Sequence, residues 1–213
     1  MTESLDEPAR ILLIEDSEPQ ALLVKHQLET GLSIHFTVVQ EKSLAQTLER
    51  MAQEEFTLIL CDLNLPDSSG LDTFRAVRSA AFQVPIVILS SEDDEELAVT
   101  AVREGAEDYL VKGRYDIDLL VRCIRFAVER SRRMHVEREL HAAARVQRML
   151  FPDSGPVLPG LDIAGESFPA LQAGGDYFDF IPTPDDSILI VVGDVSGHGV
   201  GPALRMAESR AYL

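Results

Sequence analysis

The sequence predicts an α/β protein that starts with a doubly wound parallel sheet and changes to antiparallel strands in its last part. Two observations predict the sheet: five apolar runs of strand length recur along the first part of the chain, and a stretch with helical spacing follows each run. A third observation predicts the change, because Pro and Gly residues cluster after residue 151 and a turn-rich loop joins the last two apolar runs.

The five strand and helix pairs can be placed in order. The runs are nearly continuous in apolar residues, as in parallel strands that are covered on both faces. The predicted pairs are strand 10–14 with helix 18–29, strand 34–39 with helix 43–53, strand 56–61 with helix 71–79, strand 85–89 with helix 94–104, and strand 108–111 with a helix that opens near Asp116. With right-handed crossovers these units build a flavodoxin-like sheet in the strand order 2-1-3-4-5.

Composition and charge exclude several classes of partner and cellular location. The chain has 213 residues, 46% of them hydrophobic, which is enough for a packed core. A net charge of -17 argues against a surface for DNA or RNA, because such binding needs Lys and Arg to neutralise phosphates. The two cysteines lie far apart and no signal peptide is present, so we expect a protein of the reducing cytoplasm. No apolar run reaches membrane-spanning length, so a membrane is not an expected partner. Nucleic acid is not an expected partner either, because of the negative charge.

Three acidic residues are predicted to meet at one edge of the sheet. Asp62 stands directly after strand 56–61, and Glu15 and Asp16 stand directly after strand 10–14. In the predicted order these strands are neighbours, so three carboxylates share the crevice where open α/β sheets bind ligands. The carboxylates would repel one another unless a cation lay among them, and such hard oxygen ligands favour Mg²⁺.

Two further strand ends deliver side chains that suit a phosphoryl group. Ser90 follows the fourth strand as a hydroxyl donor, and Lys112 follows the fifth as a fixed positive charge. Taken singly, an acidic pair is usually a helix start, Ser90 a helix cap and Lys112 a surface lysine. Features of this kind at the carboxyl ends of four strands together favour a functional site.

With Pro66 and Gly70 behind Asp62, and with Tyr109 three residues before Lys112, this set resembles a CheY-like response-regulator receiver domain over residues 9–127. The resemblance implies that Asp62 accepts a phosphoryl group from a histidine kinase or a small phosphodonor. It implies these further roles: Asp16, Asp62 and the carbonyl of Asn64 bind Mg²⁺, Glu15 acts through water, Ser90 and Tyr109 form the switch pair, and Lys112 contacts the phosphoryl group. Gly113 departs from the proline that many receivers have after this lysine.

A helix is predicted from residue 117 to about 150, where no Pro or Gly interrupts the chain, either as one long helix or as two in line. Its apolar residues form two series in different heptad registers: Leu120, Ile124 and Ala127, then Val136, Leu140, Ala143 and Leu150. A coiled coil of this helix would therefore need a stutter near Met134. We expect residues 117–151 to link two domains and to be able to form a homodimer.

A different architecture is predicted after Phe151-Pro152. Residues 161–168, 177–181 and 187–192 have strand character, and a turn-rich loop at 182–186 joins the last two into a hairpin. A turn centred near Asp185 places Asp176 opposite Asp194, so that two carboxylates meet at the open end of the hairpin. Alone, such a pair is more often two strand-end aspartates in turns.

Two glycine-rich motifs surround these aspartates, Gly-Gly-Asp-Tyr-Phe-Asp at 174–179 and Gly-Asp-Val-Ser-Gly-His-Gly at 193–199. Together with the segment 144–152, they resemble the SpoIIE-type branch of the metal-dependent (PPM) serine/threonine protein phosphatases over residues 142–213. The resemblance implies the N-terminal part of an α/β phosphatase β-sandwich at 152–213, in which two Mn²⁺ or Mg²⁺ ions activate a water. It implies that Asp194 and the carbonyl of Val195 bind metal, and that Asp176 binds or orients the metal site.

The sequence therefore predicts a two-component response regulator whose phosphorylation on Asp62 controls a phosphatase output. The expected substrate is a phosphoprotein such as an anti-sigma-factor antagonist. Because the later strands and aspartates of that phosphatase fold are missing, we expect this chain to be a fragment with little or no phosphatase activity. The alternatives are a non-catalytic adaptor that binds a protein under receiver control and, as a lesser one, a DNA-binding regulator.

Overall fold

The computed structural model describes residues 9–31, 36–90, 95–168, 174–185 and 187–210. The chain divides into two compact units, Met1–Arg132 and Arg133–Leu213. The division falls inside the predicted linker 117–151. Within the described part of the chain, no helix is both long and apolar enough to span a bilayer.

The first unit is a five-stranded parallel sheet with helices between its strands. Its elements are β1 (Ala9–Ile14), α1 (Glu18–Gly31), β2 (Phe36–Glu41), α2 (Leu44–Gln53), β3 (Leu58–Asp62), α3 (Gly70–Ala80), β4 (Ile86–Ser90), α4 (Glu95–Arg103), β5 (Asp108–Val111) and the start of α5 (Ile117–Arg148). The strand order is β2-β1-β3-β4-β5 and every described pair is parallel. The predicted flavodoxin-like sheet and its strand order are confirmed.

Alternation of side chains along the central strands builds one core on each face of the sheet. Ile11 and Leu13 of β1 belong to the core formed with α1 and α5, whereas Leu12 and Ile14 belong to the core formed with α3 and α4. All residues of β3 and β4 are buried, which explains why their sequences are apolar up to the last residue, Asp62 in β3 and Ser90 in β4. This burial fixes the register of each strand and, with it, the position of the residue at its carboxyl end.

In the first unit, the described element boundaries differ from the predicted ones by at most two residues. Ser43, predicted as the first residue of a helix, is the N-cap of α2, and its side chain accepts a hydrogen bond from the amide of Gln46. Phe56 precedes β3, and its ring lies under the guanidinium of Arg10. Parts of the strand predicted at 34–39 and of the helix predicted at 94–104 lie outside the described residues.

The second unit contains the end of α5, a hairpin of two antiparallel strands and a final helix. The hairpin strands are β6 (Gly174–Pro182) and β7 (Ile188–His198), and the helix is α6 (Val200–Arg210). Phe151 packs against Tyr177 and Phe178 of β6, with ring centroids 6.4 and 5.2 Å apart. The region predicted as one helix or two in line is a single uninterrupted helix, α5.

The strand predicted at 161–168 is wrong, because this segment runs past the hairpin without pairing as a strand. A Cβ atom on Gly165 would lie 2.3 Å from the ring of Phe178, so the backbone here packs flat against that ring. Leu161 and Phe168 are 62% and 78% exposed, so the apolar pattern does not mark a buried face. The described part of this unit holds one two-stranded sheet, and the predicted β-sandwich is not seen in it.

Candidate functional site

Three carboxylates converge at the carboxyl edge of the parallel sheet. Asp62 is the last residue of β3, and Glu15 and Asp16 directly follow β1, its neighbour in the sheet. One carboxylate oxygen from each of these residues lies within 4.8 Å of the other two. Glu15 and Asp62 are buried and Asp16 is exposed, so the group opens to solvent on one side. Such a set of hard oxygen ligands suits a divalent cation.

Lys112 contacts two of these carboxylates from the end of β5. It follows β5, and its ammonium donates hydrogen bonds to Oδ2 of Asp62 at 2.6 Å and to the carboxylate of Glu15. Its third described partner is Oε1 of Gln20, at 2.6 Å. Gln20 was not predicted, because a glutamine in the first turn of a helix carries no signal of such a contact. One partly buried positive charge therefore faces two buried carboxylates and can neutralise only one of them.

Glu15 is held by its backbone as well as by its side chain. Its amide donates to the carbonyl of Glu41 at 2.9 Å, and its Oε1 accepts the amide of Ser17 at 3.2 Å. Burial raises the pKa of Glu15 above its ordinary value, and the hydrogen bond from Lys112 offsets only part of that effect. A cation bound in the crevice would favour the ionised form of Glu15.

The loop after Asp62 carries the predicted backbone ligand. The amide of Asn64 donates to Oδ1 of Asp62 at 3.0 Å, so the two oxygens of Asp62 have different partners, an amide and an ammonium. The side chain of Asn64 is exposed. Gly70, the first residue of α3, has φ +61, a conformation that L side chains rarely adopt, which accounts for glycine at that position.

Ser90 and Tyr109 lie on neighbouring strands, Ser90 at the carboxyl end of β4 and Tyr109 two residues before the end of β5. Ser90 ends β4, is fully buried, and its carbonyl accepts the amide of Lys112 at 2.7 Å. Tyr109 is partly buried, pairs with Ile88 in the register of β4 and β5, and packs against the core on the α3 face. Gly113 has φ +78, which proline cannot adopt, so the departure from proline matches the loop conformation.

In the second unit the hairpin register places Asp176 opposite Asp194, as predicted. Both side chains are exposed. A Cβ atom on Gly175 would lie 1.9 Å from the carbonyl oxygen of Val195, so glycine is required where that carbonyl crosses β6. Among the described residues of this unit, no group of three close candidate metal ligands occurs. The open end of the hairpin offers the carboxylates of Asp176 and Asp194 and the carbonyl of Val195.

Asp179, on the same strand as Asp176, is bonded to Tyr177 and Arg210. Its Oδ2 accepts the hydroxyl of Tyr177 at 2.7 Å and Nε of Arg210 at 3.1 Å. Burial alone would raise the pKa of Asp179, but these donors and the amide of Phe180 outweigh burial and lower it. Asp179 therefore anchors α6 to the hairpin and is not grouped with Asp176.

Comparison with known proteins locates the first unit within a family. Residues 11–125 match the response regulator receiver domain family. The chain is 35% identical over 124 residues to the cell cycle transcriptional regulator CtrA of Caulobacter vibrioides, a match that covers 58% of this chain and 52% of that protein. It is 39% identical over 118 residues to the nitrate/nitrite response regulator protein NarL of Escherichia coli, covering 55% of this chain and 54% of that protein. The chain thus spans about half the length of these curated relatives.

A solved receiver domain shows the same architecture. The response regulator receiver domain protein from Clostridium thermocellum aligns with a TM-score of 0.52 and 26% identity, covering 59% of this chain and 98% of that one. The family match ends at residue 125, so it does not reach the second unit. The crevice of Glu15, Asp16 and Asp62 lies inside the matched residues, and the chain belongs to the response regulator receiver domain family of two-component systems.

Proposed function

We propose that Asp62 accepts a phosphoryl group from a histidine kinase or a small phosphodonor. The observation that carries this proposal is the position of Asp62: a buried carboxylate at a strand end, bonded to Lys112 and flanked by two further acids. An Oδ atom of Asp62 forms the new bond to phosphorus. The bond from phosphorus to the donor's nitrogen or oxygen breaks, and its electron pair leaves with the donor.

The neighbouring residues have distinct roles in this proposal. Glu15, Asp16, Asp62 and the carbonyl of Asn64 would hold Mg²⁺, and the three close carboxylates fit that ion. When bound, Mg²⁺ supplies positive charge for the phosphoryl oxygens. Lys112 supplies a second, fixed charge beside the same atoms. Ser90 would engage the phosphoryl group, and the ring of Tyr109 would change orientation in response.

The test uses acetyl phosphate and Mg²⁺ on the full chain. We expect the wild type to gain an acid-stable, hydroxylamine-sensitive phosphoryl group and Asp62→Asn to gain none. Asp72→Asn is the matched control, because Asp72 lies on α3 with a side chain that is 87% exposed. Equal labelling of Asp62→Asn and the wild type would sink the assignment.

We further propose that the second unit belongs to a metal-dependent serine/threonine protein phosphatase that acts on a phosphoprotein. Support comes from the opposed pair Asp176 and Asp194 and from the Val195 carbonyl that lies against Gly175. Asp194 and the Val195 carbonyl would bind Mn²⁺ or Mg²⁺ directly, with Asp176 binding or orienting. Two ions close together need several carboxylates, and two are too few, so this chain alone would turn over little substrate.

Mn²⁺ binding and hydrolysis of a phosphoserine protein test the second proposal. We expect little turnover, together with weak Mn²⁺ binding in addition to that of the receiver crevice. Asp194→Ala should remove this additional binding and Asp162→Ala should keep it, because Asp162 is an exposed aspartate outside the hairpin. Strong turnover that depends on Asp194 would refute the claim that this chain holds too few metal ligands, but it would support the assignment as a phosphatase. If all Mn²⁺ binding were independent of Asp194, the result would favour the adaptor, a phosphatase-like unit that only binds a protein.

One of the named relatives suggests another output, since it is a transcriptional regulator by name. The similarity to either named relative covers only about half of each protein. A net charge of -17 opposes DNA binding by this chain. A salt-dependent shift of DNA in a gel, caused by this chain, would favour a DNA-binding output over a phosphatase output.

A further inference from the structure

The loop between β3 and α3 is fixed on its inner side. Leu65 and Ser68 close a tight turn through paired backbone hydrogen bonds of 2.8 and 3.4 Å. Beneath the turn, the buried hydroxyl of Thr73 contacts the carbonyl of Leu63 at 2.9 Å and Oγ of Ser68 at 2.8 Å. These contacts hold both neighbours of Asn64, whose carbonyl is the expected metal ligand.

On its outer side the same loop is bonded to a different helix. The carboxylate of Asp67 accepts the amide of Leu44 at 2.8 Å through Oδ1 and the amide of Ala45 at 2.9 Å through Oδ2. These are the first two amides of α2, which lack partners inside the helix. The third, on Gln46, is taken by the helix's own N-cap, Ser43. Hydrogen bonds from the two amides also lower the pKa of Asp67, so the tether is ionised at neutral pH.

Two residues, Ser43 and Asp67, share the capping of the α2 N-terminus. Ser43 can cap only one amide, and a residue from the Asp62 loop, 22 positions away from Ala45, supplies the other two bonds. A carboxylate at a helix N-terminus is also favoured by the helix dipole. Because Asp67 lies three residues after Asn64, the α2 terminus restrains the stretch of backbone that carries the expected ligand.

We propose that Asp67 is a positioning residue for the phosphorylation site. By bonding the loop to the start of α2, Asp67 keeps the carbonyl of Asn64 where it completes the acidic crevice of Glu15, Asp16 and Asp62. The proposal rests on the proposed function of that crevice. Asp67 itself contacts none of the reacting groups, so it acts by fixing the affinity of the crevice for a divalent cation.

The test compares two caps of one helix. Asp67→Ala removes two bonds to α2 and releases the outer side of the loop from that helix, whereas Ser43→Ala removes one bond to α2 and leaves the loop bonded. We expect both variants to lower the unfolding temperature. Only Asp67→Ala should weaken Mg²⁺ binding, measured by calorimetry, by roughly tenfold, as do other losses of support around metal ligands. Asp67→Asn keeps one acceptor and should fall between Asp67→Ala and the wild type.

Amide hydrogen exchange in residues 63–68 gives a second readout that does not depend on phosphoryl transfer. We expect faster exchange in Asp67→Ala and unchanged exchange in Ser43→Ala. Mg²⁺ affinity equal to wild type in Asp67→Ala would overturn the proposal, even if that variant is less stable. A wild type that binds Mg²⁺ with Asp67-dependent affinity but is never phosphorylated would refute only the function of Asp62. A wild type that binds no Mg²⁺ would refute both.

Discussion

At the residue scale, the crevice depends on one ammonium group shared by two buried carboxylates. The side chains of Lys112, Glu15 and Asp62 are 12%, 1% and 7% exposed, so water screens their charges poorly. Removing a positive charge from such a cluster leaves negative charges buried without a partner, and that costs more than the ion pair contributes when intact.

Lys112→Met should therefore destabilise the protein by about 3 kcal/mol in urea unfolding without divalent ions. Added Mg²⁺ should restore more stability to this variant than to the wild type, because the cation then supplies the missing positive charge. Lys42→Met is the matched control: it breaks an exposed pair with Glu18 and should change stability little. Equal losses in both variants, or no rescue by Mg²⁺, would contradict the role given to Lys112.

The pH dependence of stability should reveal Glu15. Since burial raises its pKa, the folded protein holds this proton more tightly than the unfolded chain. Without Mg²⁺, the stability that this proton contributes is then lost as the pH rises from the ordinary pKa of 4.5 through the raised pKa. Above the raised pKa, none of this contribution remains. Glu15→Gln should be more stable than the wild type at neutral pH, and the difference should vanish in acid. A variant less stable at neutral pH would show that Lys112 outweighs burial.

At the element scale, the end of α5 is joined to the start of β6 by one side chain. Gln147 is 6% exposed, and its amide pairs with the backbone of Gly174 as a strand residue would. Its Nε2 donates to the carbonyl of Gly174 at 2.5 Å, and its Oε1 accepts the amide of Gly174 at 3.1 Å. Gly174 lies two residues before Asp176, so this pairing fixes the strand that carries the proposed ligand.

Gln147→Ala should destabilise the second unit by about 1–3 kcal/mol, because both polar groups of Gly174 lose their partner. Hydrogen exchange at the Gly174 amide should rise with it. Arg145→Ala is the control, since Arg145 is exposed on the same helix. If the two variants behaved alike, the pairing would not be what holds β6 to the helix.

Elements with strong local patterns were predictable, and contacts between distant elements were not. Asp62 could be placed because an apolar strand ends there and its burial fixes its register. The pairing of Asp176 with Asp194 followed from the turn between their strands. Asp67 and Gln147 gave no such signal, since an aspartate after proline indicates a turn and a glutamine in a helix indicates a surface. The pattern of 161–168 suggested a strand, but packing of Gly165 against Phe178 determined its path.

At the scale of the whole molecule, an uninterrupted helix continues from the receiver into the second unit. Its second half leaves apolar side chains in solvent, among them Val136 at 48% and Val146 at 62% exposed. The homodimer expected through residues 117–151 would bury these side chains against a second copy of the chain. Phosphorylation would shift the population of paired chains only as far as the two states differ in affinity for the phosphoryl group.

Sedimentation with and without beryllofluoride, a phosphoryl mimic, tests this pairing. We expect a larger assembly or altered hydrogen exchange in α5 when the mimic is bound, and the double variant Val136→Glu with Val146→Glu should abolish assembly. The matched control is Arg138→Glu, at an exposed charged position on the same helix. Identical mass and identical exchange in both states would count against signalling through this helix.

Phosphorylation of Asp62 is tested most directly by locating the phosphoryl group in the protein. The chain is treated with acetyl phosphate in Mg²⁺ or in EDTA, reduced with borohydride to trap acyl phosphates, digested and mapped by mass spectrometry. Our proposal predicts one modified peptide, containing Asp62, that forms in Mg²⁺ and is absent in EDTA. Modification of Asp16 or another acid in its place, or equal modification of Asp62 in EDTA, would contradict it.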